Sequence, residues 1–203
     1  MKTSTEAPNP AALRIVEAAR RHFLQHGFRS VSMDDLAEAM GMSKKTLYVH
    51  FKTKRELLAA VIERKLRDLE AAMDSVHSGG TKEFAATLHR LLTGIRQQAQ
   101  EISPTFARDL AREEPGLFER IKSKRREVIG RTFTRILSVG QKAKRIRRDI
   151  PADILVEILV GLADSVAVPD KVAARGMAPG EMLTIVLKVF LDGVQTQKGA
   201  SLL

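Results

Sequence analysis

Cysteine and tryptophan are absent from these 203 residues, and tyrosine occurs once. Without cysteine there is no disulfide framework, no thiolate zinc site and no cysteine nucleophile, so a reducing, cytoplasmic setting is expected. Long apolar runs are missing too. The richest, ILVEILVGLADSVAV at 154–168, is broken by Glu157 and Asp164 and is shorter than the roughly 20 residues a membrane span requires. The first residues lack the apolar core of a signal peptide, so secretion is not expected. No GxSxG, P-loop or GxGxxG pattern occurs, and His22 and His26 share a helix face with no third ligand near them. Neither an enzyme nor a metal or cofactor site is expected. Acidic residues are in short supply: 24 against 34 Lys and Arg, a formal net charge of +10. That balance favours a polyanionic partner, nucleic acid or an acidic membrane surface.

What is present reads as helix almost throughout. Apolar residues recur at helical spacing, glycine and proline fall where helices should stop, and no stretch alternates as a strand does. The expected fold is all-α in two parts, short helices first and long ones after. The first helix is expected over about 10–26, with Ile15, Val16, Ala19 and Phe23 on one face and Gly27 as its stop. Two short helices follow, opened by Ser32 with Asp35 and by Ser43, and separated at Gly41. Thr53 with Glu56 opens a longer helix carrying apolar residues as far as Val76, with its stop at Ser78-Gly79-Gly80. Prolines 104, 115, 151, 169 and 179 then punctuate segments expected at about 81–102, 104–114, 116–143, 151–168 and 178–197.

The stretch GMSKKTLYVHF, residues 41–51, gathers a turn glycine, adjacent lysines, the tyrosine and a histidine. Two short helices joined at Gly41 can cross steeply only where the contact residue is small, and Ala37 is placed to allow it, which is the logic of a helix-turn-helix. With Leu47 and Phe51 inward at i and i+4, Lys44, Lys45, Tyr48 and, at the margins, Thr46 and His50 are left outside. Such a face offers donors for phosphates, a methyl for thymine and polar tips for base edges. A lysine pair taken alone fits equally well on a solvated helix whose side chains touch only water.

The run from Phe28 through Ala37 to Leu57, with Gly-Met-Ser, Thr-Leu-Tyr, His-Phe-Lys and Lys-Arg-Glu-Leu-Leu in order, resembles the DNA-binding domain of TetR-type (TetR/AcrR family) transcriptional regulators. The resemblance covers about residues 10–60 in detail. It implies a three-helix DNA-binding domain at 9–69, with the helix-turn-helix at about 32–51, and a helical bundle at 70–203 for ligand binding and dimerisation. It also implies a recognition helix at about 43–50, with Lys44, Lys45, Thr46, Tyr48 and His50 near double-stranded DNA and Ser32, Met33 and Lys54 near its backbone. Asp34 departs from what a phosphate-facing position prefers and is read as serving its helix N-terminus.

The segments at 154–166 and 182–194 carry apolar arcs wider than one core requires. A helix apolar on two sides is central in its domain or packs on a partner. Gly161, Ala163 and Gly193 would allow close approach, and a homodimer through about 151–168 and 178–197, which the resemblance also implies, is expected. Between 120 and 148 twelve basic residues stand against Glu127 alone. They fit a solvated helix face, an auxiliary DNA contact or a site for an anionic effector. Glu113 and Glu114 read as surface, and His89 as partly buried among leucines. With Phe106 and Phe133, His89 is a candidate for a ligand pocket, although each fits a core equally well. The resemblance implies a sequence-specific repressor released from a palindromic operator by a small-molecule effector. The alternatives are a basic DNA-binding protein without sequence preference and a helical enzyme acting on a small molecule.

Overall fold

The computed structural model describes residues 9–75 and 83–196. Within them lie ten helices: α1 (Pro10–His26), α2 (Met33–Ala39), α3 (Lys44–His50), α4 (Lys54–Ser75), α5 (Phe84–Gln100), α6 (Pro104–Glu113), α7 (Pro115–Lys142), α8 (Ala152–Val166), α9 (Pro169–Ala174) and α10 (Pro179–Val194). The all-helical expectation holds over the described residues, where a single isolated bridge between Ile146 and Gln195 is the extent of β pairing. The helix α9 is missing from the sequence-based reading because six residues with one buried side chain, Val172, are too few to show a period. The expected stop at Ser78-Gly79-Gly80, Val76, the start expected near 81 and residue 197 all lie outside the described residues.

Local chemistry sets the helix ends. Ser32 Oγ accepts from the Asp35 N–H at 3.1 Å, while the Asp35 carboxylate accepts from the Ser32 N–H at 2.8 Å. Those bonds hold the Asp35 carboxyl below its ordinary pKa. Val31 before this cap and Leu36 after it are buried in the same cluster, the pattern of a hydrophobic staple. At the other end of α2, Gly41 takes φ +62°, and the Met42 N–H reaches back to the Ala37 carbonyl at 3.0 Å. Ser43 Oγ then caps α3 by accepting from the Thr46 N–H at 3.1 Å.

Two hydrophobic clusters share α4. The first gathers α1, α2, α3 and the front of α4 as far as Leu66, and takes in Phe106 and Leu110 of α6. The second begins at Met73 and joins α5, α7, α8 and α10. One continuous helix therefore runs from the first core into the second, and α6 of the later chain is built into the first.

The basic run finds its partners far away in sequence. Arg120 pairs with Glu63, Lys124 with Glu70 at 2.9 Å and Arg131 with Asp74 at 3.7 Å, so the basic face of α7 lies along an acidic face of α4, both helices running the same way. Arg125 and Arg126 both take Asp164 of α8, and Arg148 donates to the Gln141 and Lys142 carbonyls that end α7. Glu114, expected at the surface, is buried and accepts from Arg55 Nε at 2.8 Å, because the turn between α6 and α7 packs onto α4.

The α7 end tolerates no added volume at Gly140. A Cβ there would stand 2.6 Å from Ile146 Cγ1 and from the Phe84 ring, both of which are core side chains with no room to retreat. Gly140→Ala is expected to lower the unfolding free energy by about 1–3 kcal/mol, read by chemical denaturation. A variant as stable as wild type would show that the contact relaxes freely.

Candidate functional site

Helix α3 is anchored by Leu47, which is fully buried, and by Phe51 just past its end, also in the first cluster. Lys44, Lys45, Thr46, Tyr48 and Val49 are exposed and His50 is half-buried. The expected outer face is therefore the face that the packing leaves to solvent. Val49 joins it as a residue the sequence reading missed: at 73% exposure it is the most exposed large apolar side chain among the described residues. The signal was available, since two residues after Leu47 is about 200° around the helix, opposite the core.

Three neighbouring positions make contacts of their own. Met33, expected near the DNA backbone, is a buried residue, 6% exposed. It enters the core next to Val31 as the chain turns into α2. Lys54 lies with its ammonium 4.4 Å from the centre of the Phe28 ring and donates to the Arg29 carbonyl at 3.3 Å. Burial lowers its pKa, and nearby carboxylates, Asp109 first, offset part of that. Asp34 accepts from Lys44 Nζ at 2.6 Å, a bond that raises the Lys44 pKa. Lys45 has no ion-pair partner among the described residues.

At the far end of the molecule, Ile154, Ile158 and Leu162 of α8 and Ile185 and Val189 of α10 are exposed, while the opposite faces of the same helices are buried in the second cluster. Spacings of four residues put each set on one stripe. Gly161 and Gly193 lie on the same helices, and a Cβ at either would meet nothing within 4 Å.

Beside the first cluster lies a cavity of about 330 Å³. Leu24, Ile62 and Leu66 form its wall on the side of α1 and α4, and Phe106, Phe118 and Val172 form the wall from α6, α7 and α9. Of the three ligand-pocket candidates, Phe106 lines it. Phe133 is fully buried in the second core, beside a void of about 30 Å³. His89 is exposed, a correction to the partly buried expectation: the stripe Phe84, Leu88, Leu91 and Ile95 faces inward, and His89 lies about 100° off it.

Next to the cavity, a charged cluster ties α1 and α4 to the α5–α6 junction. Glu101 accepts from Arg20 at 2.6 Å and from Lys65 at 2.7 Å, and Arg20 also donates to Asp68 at 2.6 Å. Burial works to raise the Glu101 carboxyl, but the two cations outweigh it and hold its pKa below the ordinary 4.5. Its contribution to stability is therefore complete above that value and is lost as pH falls through the lower, folded-state pKa. Glu101→Gln is expected to cost roughly 1–2 kcal/mol at neutral pH, more than an open surface pair because two half-buried cations lose a partner, and less than a buried one because Glu101 itself is partly solvated. In denaturation series the gap from wild type should close as pH drops below about 4.5. A gap unchanged down to pH 3 would remove this role.

Among the described residues no group of three or more His, Asp or Glu side chains could hold a metal ion, and no helix is long and apolar enough to cross a membrane.

An all-helical chain that holds out the second helix of a helix-turn-helix, over a core built to support it, falls in the class of helix-turn-helix DNA-binding proteins. Residues 15–61 match the family described as bacterial regulatory proteins, tetR family. Over 187 residues the chain is 24% identical to the HTH-type transcriptional regulator YvaF of Bacillus subtilis (strain 168), spanning 92% of this chain and 97% of that one. It is 22% identical over 201 residues to the HTH-type transcriptional repressor DhaR of Mycobacterium sp. (strain GP1), spanning 93% and 96%. The solved structure of a TetR-family transcriptional regulator from Agrobacterium tumefaciens matches with a TM-score of 0.67 at 15% identity, over 93% of this chain and all of its own. Residues 15–61 thus carry the DNA-binding region of the tetR family, and over nearly its whole length the chain is similar to helix-turn-helix transcriptional regulators.

Proposed function

We propose that the chain is a homodimeric repressor that binds a roughly palindromic operator and is released from it by a small-molecule effector. The observation that carries the reading is the outer face of α3, where Lys44, Lys45, Thr46, Tyr48, Val49 and His50 project from a helix locked by Leu47. Lysines and a tyrosine hydroxyl suit phosphates, and the Val49 methyls suit a thymine methyl in the major groove. Ser32, the backbone of Met33 and Lys54 flank this face. The DNA-binding unit is read as 9–69 and the regulatory unit as 70–203, which puts the changeover on α4 after Leu66.

The apolar stripes of α8 and α10 supply a surface for a second copy, a twofold contact that would set two α3 helices against half-sites about 34–36 Å apart. The cavity supports the effector because α1 and α4, which frame the helix-turn-helix, form one of its walls. A ligand that fits only one arrangement of those walls weakens DNA binding by the factor by which DNA weakens its own. The relative DhaR is named a repressor. The pairing of the α7 basic face with α4 and α8 speaks against a protein that binds DNA through unspecific charge.

Selection of bound duplexes from a random pool, followed by titration of the winner against a scrambled sequence at several salt concentrations, tests the reading. Enrichment of an inverted repeat is expected, with the chain's own upstream region a first place to find it. A pool that yields no shared sequence would sink the specific-regulator reading.

A further inference from the structure

The cavity between α1, α4, α6, α7 and α9 is apolar at its floor and charged toward one side, where Lys122 and Arg125 line it together with the carboxylates of Glu119 and Asp164. Ile62, Leu66, Phe106 and Leu110 are buried, whereas Lys122 and Arg125, one turn apart on α7, line the same cavity and are partly open to solvent. Their own counter-ions are weak or shared. Lys122 is matched to Glu119 at 3.2 Å, an i, i+3 pair whose carboxylate is 66% exposed, a type of pair that contributes little. Arg125 reaches Asp164 through one contact of 3.4 Å, and the same carboxylate is held more closely by Arg126. With Arg126, which stands outside the lining, three cations share the two carboxylates Glu119 and Asp164, which leaves a surplus positive charge beside the cavity. The third cation of the lining, Lys65, is by contrast held by Glu101 at 2.7 Å and the Gln98 carbonyl at 2.9 Å.

From this arrangement we infer that the cavity takes an amphipathic anion, an apolar chain ending in a carboxylate, with the chain against Phe106 and Leu110 and the head on Lys122 and Arg125. Guanidinium and ammonium groups beside a low-dielectric wall recognise a carboxylate through charge-assisted hydrogen bonds, while the apolar floor rejects a ligand charged along its length. The inference rests on the effector reading above and adds the class of molecule to it.

The test is titration of the full-length protein, without DNA and below micelle concentrations, with dodecanoate, dodecan-1-ol and dodecyltrimethylammonium, three probes of one chain length and different head charge. Dodecanoate is expected to bind at least about tenfold more tightly than the alcohol, the size of one charge-assisted hydrogen bond, and the cation to bind more weakly still. Lys122→Gln/Arg125→Gln should abolish that preference and leave the alcohol's affinity unchanged. Lys122→Gln alone, at a partly exposed position, should shrink it severalfold even if the double variant fails to fold. Equal binding of acid and alcohol, tighter binding of the cation, a preference that survives in the variants, or no binding by any probe would each overturn the inference. The effector reading is tested separately, by adding dodecanoate to the operator complex: binding without release of DNA would sink that reading and leave the anion site standing.

Discussion

Lys44→Ala/Lys45→Ala is expected to reduce operator affinity by one to two orders of magnitude near physiological salt and to flatten its salt dependence. Each phosphate neutralised by a lysine releases condensed counter-ions and contributes about 0.9 to the slope of log affinity against log salt, so losing both contacts should flatten it by roughly 1.8. The two lysines should not contribute equally. In the free protein Lys44 is held by Asp34 at 2.6 Å, whereas Lys45 has no such partner among the described residues. Lys44 must exchange a carboxylate for a phosphate, and the displaced Asp34 then faces a polyanion. Lys45→Ala alone should therefore cost more than Lys44→Ala alone, and Asp34→Asn should tighten binding severalfold by freeing Lys44 and removing the repulsion. Titrations of the three single variants at four salt concentrations separate these effects. If Asp34→Asn weakens binding, Asp34 is a positioning partner of Lys44 in the complex and the exchange argument is wrong.

The helix-turn-helix was legible because its signals are local. Ser32 with Asp35, Gly41, Ser43 and Thr53 with Glu56 each act within four residues, and each makes its expected bond, with one shift: the Glu56 carboxylate accepts from the Lys52 N–H rather than from that of Thr53. What was not legible depends on elements brought together from far apart. The surplus of positive charge between 120 and 148 looked unpaired because its partners Glu63, Glu70 and Asp74 lie more than fifty residues earlier on α4. Glu114 read as surface because Arg55, 59 residues away, is its partner. The cavity escaped for the same reason. Its walls come from seven helices between Leu24 and Pro179, and even α7, with five of the lining residues, is a minority of them, so Phe106 could be named and the company it keeps could not. His89 is an error of another kind, a misjudged angle on a helix whose neighbours were correctly placed.

Ile158→Glu/Val189→Glu should convert the protein to a monomer at micromolar concentration while leaving its fold intact. Both side chains are already exposed in the single chain, at 45% and 63%, so charging them costs the isolated subunit little. In a twofold contact through α8 and α10 the same changes would bury two glutamates from each subunit against the apolar stripes, and a buried carboxylate left unpaired costs several kcal/mol. Each 1.4 kcal/mol is tenfold in the dissociation constant, so a rise of more than about a thousandfold is expected. Sedimentation of the variant beside wild type reads that change, and melting by circular dichroism checks that the subunit still folds. The consequence for DNA follows from linkage of the two half-sites. A monomer keeps every residue of α3 but loses the second contact, which in the dimer is made at the high effective concentration set by the first, so operator affinity should drop by about 10²–10⁴. Affinity for a single half-site should stay unchanged, and this distinguishes lost pairing from a damaged recognition helix. A variant that still sediments as a dimer would move the interface away from α8 and α10, and one that is monomeric yet binds the full operator as tightly as wild type would show that each subunit reads its site alone.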